Sequence, residues 1–335
     1  AWVLAFAGHL EDVEVELTAV EHSLDQLAQT EGESPALVAM NRHVRGHAAA
    51  IRGYLAGLRS DNEESLRQVH EALELLPSED RIARGWTTLL LAVEQRALHD
   101  FAAADAAFVD AVALGRAAGS VPLTTDALWE RSWLQLAQGK LDDVLENSVT
   151  ALTLAEAHER TSGQRLAPTG YAHIGMATVF HERNDLERAL EHAGQAVHLS
   201  RRWGMADAGA RSALQLALSL QAAGRATEAS AVVEEAAQTA SGVSPAYARI
   251  IKTELARVHL AQRNLAAAAA WAEENGLDAK SDVTELPLNR SIVLVRWLLA
   301  QDGQNGANRR DARRLLAQLE TRARTIGAFG FLIEI

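Results

Sequence analysis

Cysteine is absent from the 335 residues. No disulfide, iron–sulfur cluster or thiol nucleophile is therefore available, and a reducing, cytoplasmic location is expected. Proline occurs six times and aromatic residues make up 5%. A chain so poor in helix breakers and so rich in Ala and Leu leans to an all-α fold. No apolar run approaches the roughly 18 residues of a membrane span, so no membrane association is expected. An excess of basic charge is also missing, with 32 Lys and Arg against 44 Asp and Glu, a net charge of −12. Such a surface repels nucleic acid unless it carries a local basic patch. The densest stretch, Arg309-Arg310-Asp311-Ala312-Arg313-Arg314, is short and reads as the solvated start of a helix. The opening AWVLAFAGHLED has neither an initiating Met nor a basic n-region. It is expected to be a cut inside a longer protein and not a signal peptide.

Catalytic signatures are missing as well. Gly139-Lys140 lacks the upstream Gly and following hydroxyl of a phosphate-cradling loop. There is no H-E-x-x-H and no G-x-S-x-G. The 12 histidines read as scattered surface or helix-end residues and not as metal ligands. Adjacent carboxylates such as Glu273-Glu274 point to different helix faces, so no general acid–base pair is indicated. No enzyme activity, metal or cofactor is expected within these residues.

What is present is a repeat. Residues 170–204 read as two amphipathic helices joined by a tight Asn184-Asp185 turn, with Ile174, Ala177, Val179 and Phe180 on one stripe and Leu186, Ala189, Leu190, Ala193, Ala196, Val197 and Leu199 on the other. Small residues recur in the second helices at Ala72, Ala111, Ala151, Ala196 and Ala236, separated by 39, 40, 45 and 40. Ten residues before each stands the residue leaving the turn: Asn62, Phe101, Leu141, Leu186 and Ala226. The turns Ser60-Asp61, His99-Asp100, Gly139-Lys140, Asn184-Asp185 and Gly224-Arg225 combine helix stops with capping residues. The expectation is an all-α solenoid of about eight helix hairpins wound into a superhelix, a single repeat domain over 1–335. The repeats cover 1–30, 35–77, 78–118, 123–160, 168–204, 206–240, 246–276 and 285–326. The first is expected to turn at Gly8-His9, and 329–335 to begin a severed ninth element. Ala104, Ala189, Ala229 and Ala268 let paired helices approach closely.

First helices are expected to line the concave face. Fifteen residues before each turn reference stand His47, Trp86, Asp126, Tyr171 and Arg211, none of them aliphatic. A row mixing aromatic and hydrogen-bonding groups suits a polar ligand such as a sugar or short peptide, and the same row also suits a merely solvated face. Trp129 and Trp133 read as core.

Gly170, His173-Ile174-Gly175, Glu182, Asn184-Asp185-Leu186, Ala189 and Trp203-Gly204 resemble the tetratricopeptide-like region of the large LuxR-type bacterial transcriptional activators of the MalT group. Ala270-Trp271-Ala272-Glu273 with Gly276-Leu277, and Ala72-Leu73-Glu74-Leu75-Leu76-Pro77, are similar to the same region. The resemblance implies an effector- or partner-sensing module. It would control an ATP-dependent switch domain and a helix-turn-helix that lie outside these residues. Its implied partners are a small-molecule inducer or regulatory protein and the other domains of the parent regulator. Direct nucleic-acid binding by residues 1–335 is not implied. The alternative is a free-standing scaffold that grips peptides or partner proteins in its groove.

Overall fold

Helix stops and helix starts share the same residues, and this sharing sets the architecture. The structure, a computed structural model, describes residues 10–31, 34–59, 61–163, 166, 169–203, 206–240, 245–284, 286–301 and 306–333. Among the described residues there are fifteen α-helices and no strand. Helix α1 is Leu10–Glu31. Seven hairpins follow: α2 (Pro35–Leu58) with α3 (Asn62–Leu75), α4 (Arg81–Ala97) with α5 (Phe101–Ala117), and α6 (Val121–Ala137) with α7 (Leu141–Ser162). Then come α8 (Thr169–Glu182) with α9 (Leu186–Trp203), and α10 (Ala206–Ala222) with α11 (Ala226–Ala240). The last two are α12 (Pro245–Ala261) with α13 (Leu265–Glu274), and α14 (Leu288–Ala300) with α15 (Ala307–Ile326). The expected turn at Gly8-His9 lies outside the described residues, as does Ser60. Contacts group the chain into two units, 1–130 and 131–335, so the division falls inside α6.

The hairpin turns repeat one device. His99, Gly139, Asn184, Gly224 and Arg263 all take the left-handed conformation, with φ of 63, 76, 57, 76 and 58°. The next residue then donates its N–H to the carbonyl five residues back, at 2.9 Å for Asp100, Lys140 and Arg225 and 2.8 Å for Asp185 and Asn264. That bond closes the first helix. Where this residue is Asp or Asn, its side chain also caps the second helix: Asp100 Oδ1 accepts from Ala103 N at 3.1 Å, Asp185 Oδ1 from Arg188 N at 3.3 Å, and Asn264 Oδ1 from Ala267 N at 3.2 Å. A left-handed residue with a Cβ is strained and glycine is not. Arg263→Gly is therefore expected to raise stability by about 0.5–1 kcal/mol, read as a higher urea midpoint. An unchanged or lower midpoint would contradict this reading of the turn.

Small residues sit where the pattern requires them. Ala72, Ala104, Ala111, Ala189, Ala196, Ala229, Ala236 and Ala268 are fully buried, and Ala151 nearly so. Each closes a helix crossing that a larger side chain would force apart. Gly175 does the same between hairpins, because a Cβ there would collide with Ser148 Oγ on α7.

The ninth element differs from expectation. Gly327 ends α15 at φ 75°, and residues Phe329–Ile333 form a short 3-10 turn. Gly330 lies against the end of α6, where an added Cβ would come within 3.0 Å of Ala137 O and Gly139 N. The tail thus returns onto an earlier turn of the 131–335 unit, and residues 334–335 lie outside the described residues.

Candidate functional site

The first helices of successive hairpins touch one another through polar side chains. In the 131–335 unit, Thr178 on α8 donates to Gln215 on α10 at 3.2 Å. Ser219 on α10 meets His181 Nδ1 on α8 at 3.4 Å, and Asn289 on α14 donates to Glu254 on α12 at 3.4 Å. In the 1–130 unit, Arg96 on α4 pairs with Glu130 on α6 at 2.6 Å. A layer of helices laced by polar groups on an apolar frame is suited to ligand recognition.

In the 131–335 unit this layer opens into a cleft of about 400 Å³. Four consecutive first helices line it: α8 through His181, α10 through Leu218, Gln221 and Ala222, α12 through Arg257, Leu260 and Ala261, and α14 through Arg296 and Ala300. Its floor is apolar and its polar groups are few. Arg257 and Arg296 supply guanidinium charge, with Glu254 3.7 Å from Arg257. Gln221 lines the wall through its side chain, whose Oε1 is itself buried without a protein hydrogen-bond donor. Burial pushes the His181 imidazole below its ordinary range; Glu182 opposes that and Arg257 reinforces it. His181 therefore faces the cleft neutral, able to donate and accept.

Except for His47, at the middle of α2, the expected row lies nearer the N-terminal ends of the first helices. His47, Trp86, Asp126 and Arg211 are half-buried, and Tyr171 is buried. Arg211 on α10 lies over the Trp133 ring on α6, 4.9 Å from its centroid, a cation–π contact between two first helices. Trp129 is buried, as its core reading expects, whereas Trp133 is half-buried beneath the guanidinium. The spacing argument did not find the cleft, whose lining stands toward the C-terminal ends of the same helices. Its signal was available in His181, Gln221 and Leu260, each five residues before the second helix begins.

The histidines are not all scattered. His43 and His47, four apart on α2, converge with Asp80, the N-cap of α4. A second pair, His173 on α8 and His192 on α9, meets Nδ1 to Nδ1 at 3.0 Å, with His192 stacked on Phe180 at 5.4 Å between centroids. Burial, with the His192 charge, pushes His173 down to about 4. Burial also lowers His192 and His259. These imidazoles are neutral in the fold and take up protons when it opens. Their stabilisation is complete above the unfolded value near 6.5 and is lost as pH falls toward 4. The melting temperature is expected to be flat above neutrality and to fall between pH 6.5 and 4, with His173 accounting for about 2 kcal/mol after allowance for its partial exposure. His173→Gln should flatten that descent, and an equally steep descent in the variant would contradict the assignment.

The sequence model of the MalT-like TPR region matches residues 46–335. No curated protein sequence matches the chain. Among solved structures the chain is similar to a Rap protein in complex with Competence and Sporulation Factor, at 14% identity over 98% of this chain and 89% of that one, with a TM-score of 0.63. It is similar to the apo form of RapI at 13% identity, covering 95% and 84%, with a TM-score of 0.57. BtubC (BKLC) from P. vanneervenii follows at 15% identity, covering 70% and 94%, with a TM-score of 0.51. At these identities the likeness shows the fold, an all-α array of helix hairpins.

Proposed function

We propose that this chain, which belongs to the MalT-like TPR region family, is the effector-sensing module of a large LuxR-type bacterial transcriptional regulator. In this reading it works in the cytoplasm by recognition and not by catalysis. It binds no nucleic acid itself and biases an ATP-dependent switch and a DNA-binding domain elsewhere in the parent protein. The single observation that carries the reading is the cleft shared by α8, α10, α12 and α14, with Arg257, Arg296 and neutral His181 over an apolar floor. That set fits a small polar effector bearing an anionic group and a hydrogen-bond donor, such as an acidic sugar derivative or the carboxylate end of a short peptide. Arg211 over Trp133 belongs to the same layer of first helices and extends the receptor face. Tyr171 remains a candidate contact in the same unit, and His47, Trp86 and Asp126 remain candidates within the 1–130 unit.

A cleft spanning four hairpins couples naturally to a switch. A ligand that contacts four hairpins prefers one set of inter-hairpin angles, and only such a preference can shift an equilibrium. A second reading, a free-standing scaffold for a partner protein or peptide, draws support from the Rap structure solved with Competence and Sporulation Factor. A thermal-shift screen of anionic sugars, acidic metabolites and short peptides tests the proposal. A ligand of the native form raises the midpoint with the logarithm of its concentration over its dissociation constant. A small anionic hit supports the effector reading, hits confined to peptides favour the scaffold, and no hit in any class contradicts both.

A further inference from the structure

His43 and His47 lie one turn apart on α2, so their imidazoles share a face, with ring centroids 4.9 Å apart. Asp80 comes from the next hairpin. Its Oδ1 accepts the Ala83 N–H at 3.0 Å and caps α4, which leaves Oδ2 turned toward the two rings. His43 Nε2 is 2.7 Å from Oδ2, His47 Nε2 is 3.2 Å from Oδ2, and the two Nε2 atoms are 3.1 Å apart. Three lone-pair atoms therefore converge on one point. A proton on one nitrogen bonds along an edge of this triangle and leaves the other acceptors opposed. A cation at the centre satisfies all three.

The dimensions suit such an ion. Bonds of about 2.0–2.1 Å at tetrahedral angles place neighbouring ligand atoms about 3.3 Å apart. Two of the three edges are already within a few tenths of an ångström of that spacing, and only the His43–Asp80 edge has to open. The side chains keep 42, 37 and 22% exposure for His43, His47 and Asp80, so a fourth position faces solvent and water can fill it. Two imidazoles and one carboxylate suit zinc-class ions and are poor ligands for calcium or magnesium, which favour all-oxygen sets. Burial works against ionisation of Asp80, yet the Ala83 N–H and the two histidines hold its carboxyl below the ordinary range, so it is an anionic ligand at neutral pH.

We propose that His43, His47 and Asp80 form a binding site for one divalent transition-metal ion of the zinc class, which pins α2 to the start of α4. Bound metal stabilises the native form and ties two hairpins of the 1–130 unit together. The inference is independent of the cleft in the other unit.

The test uses the untagged chain after chelation, titrated with Zn²⁺ by calorimetry and with Co²⁺ by visible absorption. One equivalent of Co²⁺ should bind with the intense visible band of a four-coordinate site. Saturating Zn²⁺ should raise the melting temperature by a few degrees. His43→Gln removes one ligand at a half-exposed position. Asp80→Asn keeps a capping oxygen while discarding the carboxylate charge. Each variant should weaken binding at least about 100-fold, more than the loss of an outer-shell partner costs, while circular dichroism shows the fold intact. No saturable uptake by the parent chain, or uptake that both folded variants retain undiminished, would overturn the proposal.

Discussion

Phe108→Ala should destabilise the 1–130 unit by about 3–5 kcal/mol. Phe108 is fully buried on α5, among the largest side chains with no exposure at all. Truncation removes its apolar contacts and leaves a cavity that neighbouring helices fill only in part. The effect should spread along the array and not along the whole chain evenly. In stacked repeats, stability is the sum of each hairpin's own term and its interfaces with neighbours. Hydrogen exchange should therefore accelerate most in α4 and α5 and next in α3, measured against global stability from denaturant titration. A loss below about 1 kcal/mol would mean that the hairpin stripes are not what holds the array together.

The second large effect concerns recognition. Arg257→Glu with Arg296→Glu reverses both cationic groups of the cleft. Each charge-assisted hydrogen bond to an anionic effector contributes about 1.5–3 kcal/mol. Loss of two, with repulsion in their place, corresponds to at least about 100-fold weaker binding. Binding of the hit from the screen, followed by calorimetry, is the measurement. Undiminished affinity in a folded double variant would remove the cleft from the account. Several basic groups elsewhere are held by backbone carbonyls. Arg84 donates to Leu73 O at 2.8 Å and Leu76 O at 2.9 Å, and Arg322 to Val283 O at 2.8 Å; in the Arg-rich stretch 309–314, Arg314 reaches Ala279 O.

The hairpins were legible because their turns carry chemistry that a linear pattern records. A left-handed residue followed by a capping Asp or Asn is visible at His99-Asp100 and Asn184-Asp185, and those positions end and start helices in the structure. Boundaries shifted where proline intervened. Helix α6 begins at Val121, ahead of the expected 123, because Pro122 stands in the first turn, where no N–H is needed. Helix α14 waits until Leu288, after Pro287 in an extended conformation. The tail after Gly327 could not be read from pattern, since its fit depends on Gly330 meeting the backbone of a turn nearly two hundred residues earlier.

Sites were less legible than folds. The row at fifteen residues before each turn rests on periodicity alone, whereas the cleft depends on how neighbouring first helices lean together, which spacing does not encode. The His43–His47–Asp80 cluster escaped a search for H-E-x-x-H because Val44 stands where that motif has Glu, and Asp80 arrives from the next hairpin, although the i,i+4 pair His43 and His47 was visible on one helix. Half-buried His173 reads in sequence like any polar helix residue, since only the crossing of α8 and α9 brings His192 beside it.

Hydrogen–deuterium exchange with and without a saturating hit from the screen tests the central claim most directly. The account predicts slowed exchange in the C-terminal halves of α8, α10, α12 and α14, with α9, α11 and α13 changed little. Protection concentrated in those second helices, or none while calorimetry shows the site filled, would contradict a receptor built from first helices.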